Sequence, residues 1–195
     1  MFININLRLP QLREQEDYTK IDDMPQIYLK AVVSVEDHRF YKHFGIDVIS
    51  IGRAFVNDIK QMKFVEGGST ITQQLAKNIY FTQDKKIVRK VVEIFMAFSI
   101  ESNYNKDEIL ELYLNTSYFG NGFYSVKSAS LGYFNKLPKD MNDSESIMLA
   151  GIPNAPSLYN PIQNKNLAIE RQRQVINKMI KYGNLDKVEA EKIIK

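Results

Sequence analysis

The sequence predicts a mainly α domain. Apolar residues recur at three- and four-residue steps through most of the chain, helix-capping residues stand ahead of those runs, and strand-length alternation is scarce. Asp23-Met24-Pro25 reads as a helix start, with Asp23 as cap and the proline in the first turn. That helix runs through Ile27, Ala31 and Val35, and Gly45 breaks the pattern. A second helix is expected over Asp47 to Met62, where Val48, Ile51, Phe55, Ile59 and Met62 form one apolar stripe. Glu66-Gly67-Gly68 is a loop, and Ser69 or Thr70 caps a third helix that reaches about Tyr80. Lys85 to Tyr104 is the longest candidate, followed by a short helix from Asp107 to Leu114. Tyr118 to Gly122 is a loop, and Ser125 to Phe134 returns to helix. Asn142 and Glu145 have capping-box spacing ahead of Ile147-Met148-Leu149-Ala150. Pro153, Pro156 and Pro161 make Gly151 to Gln163 irregular. A helix from about Asn166 to Tyr182 ends at Gly183, and a short one closes the chain.

Composition narrows the function classes. With 195 residues the chain can bury a core without staples, and with no cysteine it has neither disulfides nor thiolate metal ligands. Net charge is +3, a mild basic bias that suits an anionic substrate or a membrane surface. No concentrated basic face marks a nucleic-acid binder, and no nucleic-acid partner is expected. No apolar run approaches the ~20 residues that span a bilayer. An anchor, if there is one, is therefore expected outside this chain.

Four segments hold residues that can do chemistry. Glu36-Asp37-His38-Arg39-Phe40-Tyr41-Lys42-His43 crowds ionisable and aromatic groups at the end of an apolar helix. A carboxylate there can face a cleft from a rigid base, and partial burial would raise its pKa toward proton transfer. The same residues also suit a solvated, charged helix end. The five-residue spacing of His38 and His43 does not put both on one helical face for a metal. In the second segment, Gly67-Gly68-Ser69-Thr70 ahead of Gln73, Gln74 and Lys77 offers free N–H groups and hydroxyls to an anion, or simply a capped helix. In the third, Glu93 stands inside the apolar run Val91 to Phe98, a costly place for a carboxylate unless it is paired or faces a cavity. Arg89 lies one turn back and can pair with it. Lys77, Lys85, Lys86, Arg89 and Lys90 suit a pyrophosphate. The fourth segment, Lys106 to Asn115, reads as amphipathic helix packed through Ile109, Leu112 and Tyr113.

In this order, from about Pro25 to Pro161, the four segments resemble the peptidoglycan glycosyltransferase family, which includes monofunctional glycosyltransferases and domains of bifunctional penicillin-binding proteins. The resemblance implies a lysozyme-like, two-lobed helical fold that joins lipid II units into β-1,4-linked strands with inversion. It implies Glu36 as general base and Glu93 as second catalytic glutamate. It assigns Lys77, Arg89 and Lys90 to the donor pyrophosphate, and Arg39, Arg53, Ser69, Gln73 and Gln74 to substrate contacts. Asp37 and His43 match motif positions that shape the site. A magnesium or manganese ion at the pyrophosphate fits the resemblance, but no ligand motif appears and no metal ligands are assigned. Implied partners are lipid II, the growing glycan strand, a moenomycin-type inhibitor and the bacterial membrane surface, at the outer face of the cytoplasmic membrane. The expected organisation is a lead-in over residues 1–23 and a glycosyltransferase domain over 24–195, with a membrane-facing lobe at about 44–66.

Two rivals come from other classes. A glycan-cutting lysozyme-like hydrolase would share the fold and a glutamate but would not need the basic cluster or the apolar stripe. A non-enzymatic glycan- or lipid-binding relative would be marked by loss of Glu36 or Glu93, and both are present.

Overall fold

The computed structural model describes residues 5–50, 52, 68–80 and 87–194. Among them the chain is helical, and the β geometry there is an isolated bridge between Phe44 and Ile46. The helices are α1 (Ile5–Leu12), α2 (Gln26–Glu36), α3 (Ile71–Tyr80), α4 (Ile87–Asn103), α5 (Lys106–Leu114), α6 (Val126–Phe134), α7 (Asp143–Gly151), α8 (Lys165–Lys181) and α9 (Lys187–Ile194).

Local sequence fixes most of the starts. Asn105 with Glu108, Ser125 with Ser128, and Asn142 with Glu145 each form a reciprocal capping box ahead of α5, α6 and α7. The start of α2 differs from expectation. Asp23 ends a short 3-10 turn, and Pro25 is the cap. The proline's extended backbone lets its carbonyl take the N–H groups of Tyr28 and Leu29, so no side-chain cap is used. A further helix opens at Val48, with Asp47 accepting the N–H groups of Ile49 and Ser50 at 3.1 and 3.0 Å. The rest of the stripe predicted to Met62, with Arg53, lies outside the described residues.

α2 is the central element. Tyr28, Leu29, Ala31, Val32, Val33 and Val35 are all buried, because α7 and α8 pack against it. α3 packs against α4 and α5. Gly151 lets α7 and α8 meet closely, since a Cβ there would stand 2.9 Å from Arg171 Cγ. The core joins Tyr28 and Phe40 to Leu112, Tyr113, Ile147 and Val175, each burial worth ~1.5–3 kcal/mol. The segment read as a lead-in is fastened to α5. Leu9 is buried, Arg13 pairs with Glu108 at 2.9 Å, and Thr19 and Asn115 exchange two hydrogen bonds of 2.8 Å. Among the described residues no helix is long and apolar enough to cross a membrane.

Candidate active site

The site grows from the end of α2. The buried α2 holds Glu36, its last residue, where helix gives way to loop. Glu36 is half-buried, but its Oε1 is sealed from solvent with no hydrogen-bond partner among the described residues. Its Oε2 accepts a hydrogen bond from Gln74 Nε2 at 3.0 Å. Burial raises the carboxyl above the usual range, while the Gln74 amide and the charges of Arg171 and Lys178 pull the other way. Both cations come from α8, a helix the motifs do not mark. Arg171 is buried and donates to the Gly151 carbonyl at 3.2 Å. Lys178 donates to the Val35 carbonyl at 3.1 Å, at the negative end of α2.

Asp37 faces inward. Its Oδ2 meets His43 Nε2 at 2.9 Å and accepts the Ile71 N–H at 3.1 Å. One buried carboxylate thus ties the end of α2 to the start of α3 and to the turn at Phe40–Lys42. Arg39 Nε lies 3.0 Å from Asp47 Oδ2. Burial alone would raise the Asp47 carboxyl, but the Ser50 hydrogen bonds and the Arg39 charge outweigh it and hold it below its ordinary value.

Thr70, rather than Ser69, caps α3. Its Oγ1 lies 3.2 Å from the Gln73 N–H, and Gln73 Oε1 accepts the Thr70 N–H at 3.0 Å, completing a capping box. The Thr70 hydroxyl also donates to the Gly45 carbonyl at 2.6 Å. Of the two expectations for this turn, the capped helix, rather than free N–H groups, is the one seen. Those of Thr70, Ile71 and Gln73 are taken internally, because a buried helix start must satisfy its donors within the protein. Gln73 is buried in that cap.

The second glutamate stands across α3. Glu93 is buried on α4, and Lys90, one turn earlier, is 3.3 Å from its Oε2. Lys90 also donates to Ser69 Oγ at 2.7 Å. Both glutamates are therefore linked to the N-terminal part of α3, Glu36 through Gln74 and Glu93 through Lys90 and Ser69. Lys77 is exposed on α3. The side chains of Arg89 and Arg53 lie outside the described residues, so the predicted Arg89–Glu93 pair does too. His38 stacks on Tyr182 at 4.1 Å, apart from the His43–Asp37 pair. Among the described residues no group of three or more His, Asp or Glu is arranged to hold a metal ion.

The motifs did not reveal Tyr113, Arg171 or Lys178 as site neighbours. Tyr113, read as core packing, is buried yet places its hydroxyl 3.3 Å from Gln74 Oε1. The two α8 cations sit about 140 residues from Glu36 in sequence, and no local pattern marks a contact of that span.

A family model described as "Transglycosylase" matches residues 6–180. Penicillin-binding protein 1F of Bacillus subtilis is 46% identical over 177 residues, covering 91% of this chain and 25% of that protein. Penicillin-binding protein 1A of Neisseria gonorrhoeae is 44% identical over 167 residues, covering 86% of this chain and 21% of that protein. The chain thus spans about a quarter or less of the curated relatives it matches. The crystal structure of penicillin-binding protein 1A from Haemophilus influenzae shares the fold, with a TM-score of 0.55 and 23% identity over 91% of this chain and 17% of that one. With the helical fold and both motif glutamates in place, the match over residues 6–180 shows that the chain belongs to the transglycosylase family of enzymes.

Proposed function

We propose that the chain polymerises lipid II into β-1,4-linked glycan strands, with Glu36 as general base. The observation that carries this reading is the Glu36 carboxyl, fixed at the end of a buried helix, held by one amide and raised by burial. A carboxylate made more basic by burial is better suited to take a proton. Glu36 takes the proton of the acceptor's GlcNAc 4-hydroxyl. That oxygen forms a bond to the anomeric carbon of the donor MurNAc from the face opposite the leaving group. The bond from that carbon to the pyrophosphate oxygen breaks, and undecaprenyl pyrophosphate departs with the electron pair, so the configuration inverts. Lys77, Arg89 and Lys90 bind the donor pyrophosphate and offset the charge that develops on it. Glu93 holds Lys90 toward Ser69 and so orders that cationic side. Arg39, Arg53 and Gln74 contact substrate. Asp37, His43 and Gln73 hold the frame.

The lipid tail favours a membrane surface. Phe44, Val48, Ile49, Val91 and Phe95 are exposed apolar side chains, and the Phe44 ring lies 6.2 Å from that of Phe98 on α4. An apolar face of this kind supports a lobe that rests in the outer leaflet while the donor keeps its tail in lipid.

The test is incubation of the purified chain with lipid II in detergent, with products separated by size. Long strands whose formation is blocked by moenomycin support the reading. Lipid II that is bound but never consumed would favour a binding module instead.

A further inference from the structure

Tyr113, on α5, is fully buried, so its hydroxyl has no access to water. A buried hydroxyl requires an acceptor. The geometry offers Gln74 Oε1, 3.3 Å away. On the other side of the same amide, Gln74 Nε2 is 3.0 Å from Glu36 Oε2. We infer that Tyr113 is a positioning residue for the base proposed above: its hydroxyl holds the carbonyl end of Gln74, so that the NH2 end faces the Glu36 carboxylate.

A glutamine amide has nearly the same shape in either orientation, but its two ends are chemically opposite. With NH2 forward it donates to a carboxylate and favours the charged, proton-accepting form. With oxygen forward it can only accept, and it favours the protonated acid. The orientation of one amide therefore sets the strength of the base, and a phenol that donates to its oxygen fixes that orientation.

The charges that act on the Glu36 carboxyl among the described residues include Asp37, Arg171 and Lys178. Asp37 follows it in the chain and is engaged by His43 and Ile71. Arg171 and Lys178 approach from α8 and are anchored on the Gly151 and Val35 carbonyls. Tyr28, from α2 itself, and Tyr113, from α5, are both buried phenols. Arg171 and Lys178 are held by the Gly151 and Val35 carbonyls, so removing the Tyr113 hydroxyl alters the amide and leaves those charges in place.

The inference rests on the proposed role of Glu36, and the experiment separates the two. Initial polymerisation rates on lipid II are measured across pH for the parent chain, Tyr113→Phe, Gln74→Leu and the double variant. Phenylalanine fills the same volume, and a circular dichroism melt checks that the fold is kept. Tyr113→Phe is expected to move the acid limb of the rate profile upward by about one pH unit, the size of one charge-assisted hydrogen bond, with most of the plateau rate retained at higher pH. Gln74→Leu is expected to move the limb in the same direction, and the double variant no further than Gln74→Leu alone. An unmoved profile in Tyr113→Phe, or additive shifts in the double variant, would overturn the inference while leaving Glu36 as the base. Full activity in Glu36→Gln would remove the base itself, and this inference with it.

Discussion

Replacing Asp37 by asparagine separates bracing from substrate binding. The carboxylate is buried and serves two donors through one oxygen, the Ile71 N–H at 3.1 Å and His43 Nε2 at 2.9 Å. Asparagine keeps the shape and can keep both contacts, so the loss is that of charge. A hydrogen bond to a charged acceptor is worth ~1 kcal/mol more than its neutral counterpart, and two are weakened. A negative charge at the first turn of α3 contributes ~0.3–1 kcal/mol more through the helix dipole. The sum is about 2–3 kcal/mol, or a fall in Tm of about 5–10 °C for a chain of this size. Thermal melts followed by circular dichroism measure the fall, and lipid II titrations measure KM. Destabilisation with little change in KM is expected. A variant that melts with the parent while KM rises several-fold would refute the bracing role and make Asp37 a substrate contact.

Three further outcomes follow from the same geometry. The Glu36 carboxyl is raised in the folded state, so the folded protein binds the extra proton between the ordinary carboxylate value and the raised one; stability falls as pH rises through that window. Glu36→Gln should therefore melt higher than the parent at neutral pH in differential scanning calorimetry, and lower melting there would contradict the burial cost. Gly45→Ala forces a side chain into a backbone at φ +77° and puts its Cβ 3.2 Å from the Ala97 carbonyl carbon, so a loss of about 1–2 kcal/mol is expected in urea unfolding. Lys90→Met removes the cation between Ser69 and Glu93 and should raise KM for lipid II about tenfold or more, together with a lower melting temperature because the buried Glu93 carboxylate loses a cationic partner; a KM equal to the parent's would take Lys90 out of donor binding.

Much of the fold was legible because helices announce themselves locally. The capping pair Asn142 and Glu145 lies within four residues, and Gly183 ends α8 with a left-handed backbone that glycine adopts without strain. The cap of α2 lies two residues beyond Asp23 because Asp23 and Pro25 are both good helix-start residues, and only the path of the chain decides which one caps. At the site, the motifs named Glu36, Gln74, Lys90 and Glu93, and the structure links them in two groups through α3. They could not reveal which donors are already spent. Gln73 looks like a cleft residue in sequence, yet its amide closes the Thr70 cap, a pairing that depends on the burial of that turn. Arg171 and Lys178 were invisible because α8 reads as an ordinary amphipathic helix, and its contact with α2 is set by tertiary packing alone.

The central claim is that the Glu36 carboxylate accepts the proton of the attacking hydroxyl. The direct measurement is strand formation from lipid II by Glu36→Gln beside the parent chain, with both proteins shown to be folded by their melts. The account predicts no detectable strands from the folded variant, because glutamine keeps the shape and the Gln74 contact but takes no proton. Strand formation near the parent rate would contradict it and send the search for the base elsewhere in the cleft.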